Sequence, residues 1–276
     1  MKLLIVIVIY KKLIKELSIL KSVNIIDENI DIFFYDNSPK EQELLPLKEI
    51  NFLYEHNTKN PGVSYAYNRG IQKAKELSKD AILILDQDTN FNMSYLDVYK
   101  KAYIKYRDTF LYAPIVGNNS KTKIYSPAHL NNYVGKVVLY DDFIFKEQFS
   151  LTGMSVINSG LMIPLKIFEE TGLYNEKIKL DFSDIYFIEK YKKYKSEIIL
   201  VDVHLKHSLS GDEGKNYEAE LYRFMYYCNG AKEMSTALKV STYWVVFRRM
   251  LRLIQKYYTL KPVKIFFDYY IGNKII

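Results

Sequence analysis

The chain has 276 residues, of which 49% are hydrophobic and 26% are charged, a composition typical of a globular protein rather than of a disordered one. Its single cysteine excludes an intrachain disulfide and a zinc site built from several cysteines, and it fits a reducing compartment. The sequence contains no apolar run long enough to predict a membrane span. The net charge of +7 is uneven, because residues 240–276 carry seven basic side chains against one acidic side chain.

The first part of the chain alternates apolar runs with segments of helical periodicity. The run at residues 3–9 is typical of a strand that is buried on both faces. The pattern predicts, in order, strand 3–9, helix 13–23, strand 30–35, a short strand near 51–54, helix 63–78 and strand 81–85.

The second part is less regular. It predicts strands at 111–116, 134–140, 156–163 and 197–203 and helices at 165–171, 182–194, 215–238 and 243–258. Nearly apolar strands that alternate with helices predict the α/β class: a Rossmann-like, mostly parallel central sheet with helices on both faces, followed by a helical C-terminal segment. Ligands of such sheets bind at the carboxyl ends of the strands.

The triplet Asp86-Gln87-Asp88 follows the apolar run 81–85 directly. Residues two apart at a strand end point the same way, so both carboxylates can face one cavity. Two like charges this close repel each other unless a cation or hydrogen-bond donors lie between them. A hard divalent ion, Mn²⁺ or Mg²⁺, that bridges a diphosphate meets this condition, whereas a plain turn or helix cap is the structural alternative.

Three other segments contain candidate functional residues. Gly62 begins the predicted helix 63–78, where backbone N–H groups favour an anion, and Arg69 lies two turns further on; ordinary helix capping explains this spacing equally well. Asp181 and Asp184 share one face at the start of a helix, and one of them is a candidate general base. His207 follows the strand 197–203 and is a candidate metal ligand together with Asp88.

These segments, taken in order, resemble a family 2 glycosyltransferase of the GT-A fold, in its rhamnosyltransferase-like branch. The resemblance covers nearly the whole chain. It is based on Val6 to Tyr10, Asp36-Asn37-Ser38, the stretch from Asn60-x-Gly62 to Asn68-x-Gly70, Leu85 to Thr89, Asn158-Ser159-Gly160, Asp181-x-x-Asp184 and His207-x-x-x-Gly211. The first motif departs from the usual Thr-Tyr-Asn, since it reads Ile9-Tyr10-Lys11 here, and Tyr186 occupies a position that is often acidic.

The resemblance implies a role for each matching residue. The nucleotide-sugar donor would contact Tyr10, Asp36, Asn60, Gly62, Asn68, Arg69, Asp86 and Gln87. The metal ion, Mn²⁺ or Mg²⁺, would be bound by Asp88 and His207, with Asp86 beside it. Asp184 would be the catalytic base of an inverting transfer, and the acceptor would be positioned by Asp181, Ser159 and Gly160. The catalytic domain would span residues 1–214, with a nucleotide-binding half (1–90) and an acceptor half (91–214), before a helical extension at 215–276.

The composition of the basic C-terminal segment indicates a possible membrane location for the protein. Aromatic and basic residues interleave within residues 240–276, a pattern that suits an anionic membrane surface, while packing against the catalytic domain is the alternative. The resemblance implies a cytoplasmic enzyme at the inner face of the membrane, acting on a saccharide or lipid-linked saccharide in bacterial surface polysaccharide synthesis. Nucleic acid is not an expected partner, because the rest of the chain carries little net charge.

Two rival functions remain at this point. A sugar-nucleotide nucleotidyltransferase also needs an α/β sheet and Mg²⁺, but such enzymes usually have a glycine-rich loop after the first strand, and residues 1–61 contain no glycine. A membrane-associated assembly subunit that keeps the fold without catalysis is the second alternative. The sequence leaves the donor sugar, the acceptor and the oligomeric state open.

Overall fold

The computed structural model describes residues 1–22, 27–43, 51–118, 120–206, 216–272 and 274. Within them the strands are β1 (Leu3–Ile9), β2 (Ile30–Asp36), β3 (Phe52–His56), β4 (Ala81–Asp86), β5 (Tyr112–Gly117), β6 (Lys123–Asn131), β7 (Val134–Leu139), β8 (Gln148–Ser150), β9 (Met154–Ser155), β10 (Met162–Pro164) and β11 (Glu197–Lys206). The α-helices are α1 (Val63–Glu76), α2 (Leu96–Tyr106), α3 (Ile167–Thr171), α4 (Ser183–Tyr194), α5 (Tyr217–Leu238), α6 (Tyr243–Tyr257) and α7 (Lys261–Ile265). A π-helical segment, Phe266–Ile271, follows α7 directly.

The main sheet has the strand order β3-β2-β1-β4-β10-β5-β11-β8. The strands β3, β2, β1 and β4 pair in parallel, and so do β5 and β11. The short β10 is antiparallel to both of its neighbours, so β4 and β5 run in the same direction. This arrangement confirms the expected α/β class with a mostly parallel central sheet.

Both faces of the sheet are covered. Along β1, Leu4 and Val6 point into a core that includes residues of α1 and α4, whereas Leu3 and Ile5 point into a second core that includes residues of α2. All four side chains are fully buried, because β1 is paired on both edges and packed on both faces. Their continuous apolar run is the pattern required of such a strand.

The helix predicted at residues 13–23 is wrong. The structure has two short 3₁₀ turns there, Ile14–Glu16 and Ser18–Ser22. Tertiary hydrogen bonds take the place of a helical ladder: the Gln42 side chain accepts from the backbone N–H of Ile14 and donates to the Lys12 carbonyl at 2.9 Å each. Of the apolar positions in this segment Ile14 and Leu17 are buried but Leu13 is 44% exposed, so the spacing identified only some of the buried positions and did not determine the backbone conformation.

Two further differences have local causes. The sequence analysis predicted no helix at α2, where Leu96 and Tyr99 are the buried residues and four charged side chains interrupt the apolar pattern. The strand predicted at 156–163 begins only at Met162, because the chain turns first and the Leu161 N–H donates to the Asn158 carbonyl.

The C-terminal helices pack on the rest of the chain. A third core joins α5, α6, α7 and the π-helical segment to Ile178 and Phe182, which precede α4. Gly230 of α5 lies against the same segment, since a Cβ there would be 2.6 Å from the Asp181 carbonyl oxygen. No helix in the described part of the chain is long and apolar enough to cross a membrane. The domain boundaries at residues 90 and 214 stay predictions.

A close approach between α1 and β1 generates a stability prediction. A Cβ at Gly70 would lie 2.6 Å from Cγ2 of the fully buried, β-branched Val6. Gly70→Ala gains roughly 1 kcal/mol of helix propensity, but overpacking costs about 1–3 kcal/mol. We expect a lower free energy of unfolding in urea for this variant. Gly135→Ala is the control, because a Cβ at Gly135 meets no atom within 4 Å, and equal or greater stability of Gly70→Ala would contradict the packing argument.

Candidate active site

The carboxyl ends of β1 and β4 are joined by hydrogen bonds. The Gln87 side chain accepts from the Tyr10 backbone N–H at 2.8 Å, and the Lys12 ammonium donates to the Gln87 carbonyl at 2.9 Å. The Tyr10 ring stays 42% exposed beside this junction. Gln87 thus holds the loop after β1 against the triplet, and it leaves an exposed aromatic ring at the edge where the sequence predicts the donor.

Asp36 lies at the carboxyl end of β2 and is fully buried. One carboxylate oxygen accepts from the Ser38 N–H at 2.8 Å, and the other accepts from the Gln42 amide at 2.8 Å and the Tyr54 hydroxyl at 3.0 Å. Burial, with Asp36 nearby, raises the pKa of Tyr54 to about 12. In the structure Asp36 therefore organises the loop after β2, and its contact with a nucleotide base stays a prediction.

Asp86 and Asp88 lie at the end of β4, where Asp86 is half-buried and Asp88 is exposed. Among the described residues, no group of three His, Cys, Asp or Glu side chains forms a complete metal site. Two carboxylates fit one side of a Mg²⁺ or Mn²⁺ ion whose remaining ligands are diphosphate oxygens and water. His207, the further predicted ligand, lies outside the described residues.

The segment Asn158-Ser159-Gly160 packs against β4 and the loop that follows the triplet. The Gly160 N–H donates to the Ile84 carbonyl of β4 at 2.8 Å, and the Ser159 and Thr89 hydroxyls lie within hydrogen-bonding distance. Ser159 is fully buried, and Gly160 has φ +82° in a place where a Cβ would be 2.5 Å from Pro114. Both residues therefore contact the protein interior, and their predicted effect on the acceptor would act through the position of β4.

Asp184 lies in the first turn of α4, preceded by Phe182 in a left-handed conformation with φ 74°. Burial raises the pKa of the Asp184 carboxyl to about 6, and the nearby Asp181 charge adds to this, although the Ile185 N–H donates to the carboxylate at 2.8 Å. The residue as a whole is half-buried. A carboxyl with this pKa titrates close to neutral pH, which is the property of a general base.

Two buried tyrosines connect the Asp86 side of the site to the Asp184 side. Burial raises the pKa values of Tyr67 and Tyr174 well above normal, and the charges of Asp86 and Asp184 raise both further. The two rings lie 5.1 Å apart, and the Tyr174 hydroxyl donates to Asn158 at 2.9 Å. The end of β4 and the start of α4 therefore border one site.

The predicted donor residues around α1 mostly contact the protein itself. Gly62 has φ +103° and lies against Lys179, whose carbonyl accepts the first N–H of α1 at 2.8 Å. Asn68 bonds the Tyr174 backbone N–H and carbonyl at 3.0 Å each. Arg69 forms an ion pair with Glu55 at 2.8 Å. The half-buried Asn60 precedes this helix with φ 45°, and the donor roles of all four residues stay predictions.

Asp181 connects the site to the C-terminal helices. Its carboxylate is 3.0 Å from the Arg223 guanidinium of α5 and 3.9 Å from that of Arg249 of α6, and Arg249 also lies over the Tyr227 ring at 4.1 Å. These arginines, together with Tyr67 and Tyr174, are site residues that sequence analysis missed. Tyr67 lies inside a matched motif, whereas no local pattern marked Tyr174, Arg223 or Arg249.

A model of glycosyl transferase family 2 matches residues 4–167, more than half of the chain. The chain belongs to glycosyl transferase family 2. The matched residues include the Asp86-Gln87-Asp88 triplet and Asn158-Ser159-Gly160 but end before Asp184. The expectation of a glycosyltransferase is confirmed at the level of the family, whereas the rhamnosyltransferase-like branch stays a prediction. A search of curated protein sequences finds no match.

Solved structures of glycosyltransferases share the fold. TarS of S. aureus is similar with a TM-score of 0.57 and 13% identity over 98% of this chain and 55% of that one. GalNAc-T7, crystallised with UDP, GalNAc and Mn²⁺, is similar with a TM-score of 0.55 and 14% identity over 94% of this chain and 58% of that one. This family 2 chain thus spans a little over half the length of either protein, and at this identity the likeness concerns the fold.

The desolvated carboxyl of Asp184 generates a prediction about stability. Its pKa is about 6 in the folded protein, against an ordinary value of 3.8 for an aspartate, so ionisation opposes folding: the penalty is absent below pH 4 and complete above pH 6. Asp184→Asn removes this penalty, so we expect it to raise the free energy of unfolding at pH 7.5 by about 1–3 kcal/mol and to change it little at pH 4. Urea unfolding at both pH values is the measurement.

The control for this prediction is Asp97→Asn on α2, whose side chain is 75% exposed. It should show no comparable gain at pH 7.5. An Asp184→Asn protein that is equally stable or less stable than the unaltered protein at pH 7.5 would contradict the assigned burial penalty.

Proposed function

We propose that this family 2 member is an inverting glycosyltransferase that moves a sugar from a dTDP- or UDP-linked donor to a saccharide or lipid-linked saccharide of a bacterial surface polysaccharide. The observation that supports it most is that the charges of Asp86 and Asp184 both raise the pKa values of the buried, adjacent Tyr67 and Tyr174. A diphosphate-binding carboxylate and a candidate base with a raised pKa then lie on two sides of one site. A displacement that inverts the anomeric centre requires these two groups on opposite sides of the reacting carbon.

The proposed donor site is the edge formed by the ends of β1, β2 and β4. The exposed ring of Tyr10 suits stacking on a nucleotide base, and Asp36 would keep the adjacent loop in place. The similar structures support a nucleotide donor, since GalNAc-T7 was crystallised with UDP and Mn²⁺ and TarS with UDP and with UDP-GlcNAc. A divalent ion held by Asp86 and Asp88 would supply positive charge beside the diphosphate when bound.

The proposed chemistry at Asp184 is proton removal. The carboxylate accepts the proton of an acceptor hydroxyl as that oxygen attacks the anomeric carbon, and the nucleoside diphosphate departs from the opposite face of the sugar. The Ile185 N–H donates to one carboxylate oxygen and so orients the group. Asp181, neutralised by Arg223, holds the segment that leads into α4.

This mechanism makes a prediction about activity. Asp184→Asn should lower kcat at least about 100-fold, the usual contribution of a general base, while a nucleotide sugar still raises the thermal stability of the variant. In the unaltered enzyme, kcat/KM should rise with pH up to about 6 and then level, because the carboxyl must lose its proton to act as a base. The measurement is sugar transfer across a pH series.

Asp97→Asn again serves as the control, with unchanged kcat and pH profile. Full activity of Asp184→Asn would refute the base assignment. Binding of nucleotide sugars without transfer by the unaltered chain, across a range of saccharide acceptors, would instead favour a non-catalytic assembly subunit.

We also propose that the C-terminal end of the chain contacts an anionic membrane surface. Leu260, Phe267 and Ile271 follow one another at helical spacing and are 74%, 57% and 51% exposed. Exposed Lys261 and Lys264 lie among them, and their ion pairs with Glu218 at 3.5 Å and Asp268 at 3.2 Å are solvent-exposed and open to competition by lipid headgroups. An interfacial helix combines apolar side chains, which enter the headgroup region, with lysines, which contact anionic lipids.

Flotation with lipid vesicles tests this surface. The chain should float with vesicles that contain phosphatidylglycerol and remain behind with pure phosphatidylcholine. Leu260→Asn/Phe267→Asn should lose flotation, because the apolar contact is removed. Leu77→Asn/Ile104→Asn, which alters one exposed apolar residue directly after α1 and one in α2, should float as before; equal loss in both variants would contradict the assigned surface.

A further inference from the structure

A cleft of about 440 Å³ lies between the β6–β7 hairpin and α6. It combines an aromatic wall, a cluster of cations and two side-chain amides. The lining residues are Asn131, Asn132, Val134, Gly135, Lys136, Trp244, Arg248 and Arg252.

The hairpin wall has a defined conformation. Asn131 pairs with Val134, and the two residues between them, Asn132 and Tyr133, have φ values of 46° and 62°. Positive φ at both central positions is the arrangement of a tight type I′ turn, which asparagine tolerates well. Tyr133 and Val134 pack against the third core, so the wall is attached to the C-terminal helices.

The charges on α6 are distributed unequally. Arg249 pairs with Asp181 and Lys256 pairs with Glu220 at 2.6 Å, so these two cations are neutralised within the protein. Arg248 and Arg252 are exposed, line the cleft and form no ion pair with any described residue. Like charges four residues apart on a helix repel each other, and Lys136 adds a third cation from the opposite wall. An anion in the cleft would offset this repulsion.

The aromatic wall adds a second kind of contact. Trp244 is 54% exposed and stacks on Phe247 with ring centroids 5.8 Å apart, so its position is supported from within the helix. A flat indole face suits the C–H face of a sugar ring, and a guanidinium suits a phosphate or carboxylate. The amides of Asn131 and Asn132 provide donors and acceptors for hydroxyl groups.

We propose that this cleft binds an anionic saccharide, namely a part of the acceptor chain at a distance from the hydroxyl that receives the sugar. The location supports this role: Arg249, next to Arg248, contacts Asp181, which precedes the proposed base Asp184 by three residues. The concave shape and the amides favour a saccharide over a flat lipid surface. This inference deepens the proposed function and depends on it for the identification of the ligand as an acceptor.

Trp244 is the single tryptophan of the chain, so tryptophan emission reports on this cleft alone. The probes are maltotetraose, maltotetraose phosphorylated at its primary hydroxyls, tetragalacturonate and phosphatidylglycerol vesicles. We expect a saturable change in emission with at least one anionic saccharide and none with neutral maltotetraose. Arg248→Gln/Arg252→Gln should weaken that binding at least about tenfold, because charge-assisted contacts are lost.

A second variant of the cleft tests the same binding in case Arg248→Gln/Arg252→Gln does not fold. Gly135→Glu adds a carboxylate where the structure has open space, so it should fold normally and weaken anionic binding to a similar degree. Lys75→Gln/Lys101→Gln removes two exposed charges from α1 and α2 and should bind as the unaltered protein does.

The proposal is overturned if neither anionic saccharide changes the emission saturably, if both cleft variants bind as tightly as the unaltered protein, or if only the vesicles produce a response. The titration requires no donor and no transfer, so its failure is distinct from failure of the proposed function, which would appear as absent sugar transfer by the unaltered chain.

Discussion

The burial of β1 on both faces and both edges is the constraint on which the rest of the structure depends. Leu3 to Val6 are fully buried, so neither face of this strand leaves room for a polar side chain. Along β1 and β4 polar residues follow only where the strands end, and Asp36 ends β2 at the same edge of the parallel sheet. Tyr10, Asp36 and Asp86 therefore lie side by side although they are far apart in the sequence.

The segment before α4 carries the second half of the site and is held from two directions. The N-terminus of α1 approaches it closely at Gly62, and the third core packs against it through Ile178 and Phe182. Asp181 lies at the centre, with arginines from both α5 and α6 near its carboxylate. The C-terminal helices thus belong to the structure that positions Asp184, in addition to any contact that they make with a membrane or an acceptor.

Two of the electrostatically unfavourable places in the described part of the chain lie at the proposed base and in the cleft on α6. Asp184 holds a carboxyl where burial disfavours its charge, and Arg248 and Arg252 place like charges one turn apart. Other charges on the same elements are paired within the protein, among them Lys192 with Glu189 and Lys256 with Glu220. Natural proteins accept local losses of stability at sites of function, and these two places are the ones to which we assign chemistry and binding.

The sequence by itself determined the parallel sheet, the helix α1 and the position of the Asp86-Gln87-Asp88 triplet, because two-face burial and strand ends leave local patterns of apolar and polar residues. The site partners Tyr174, Arg223 and Arg249 were decided by tertiary structure, since their contacts cross many residues of chain, more than a hundred between Tyr67 and Tyr174, and leave no local pattern. The same reason explains the turns at residues 14–22, where Gln42 supplies the hydrogen bonds that a helix would have supplied itself. Local sequence patterns predict which positions are apolar or polar. The hydrogen-bond or ion-pair partner of each polar side chain is determined only when distant segments come together in the fold.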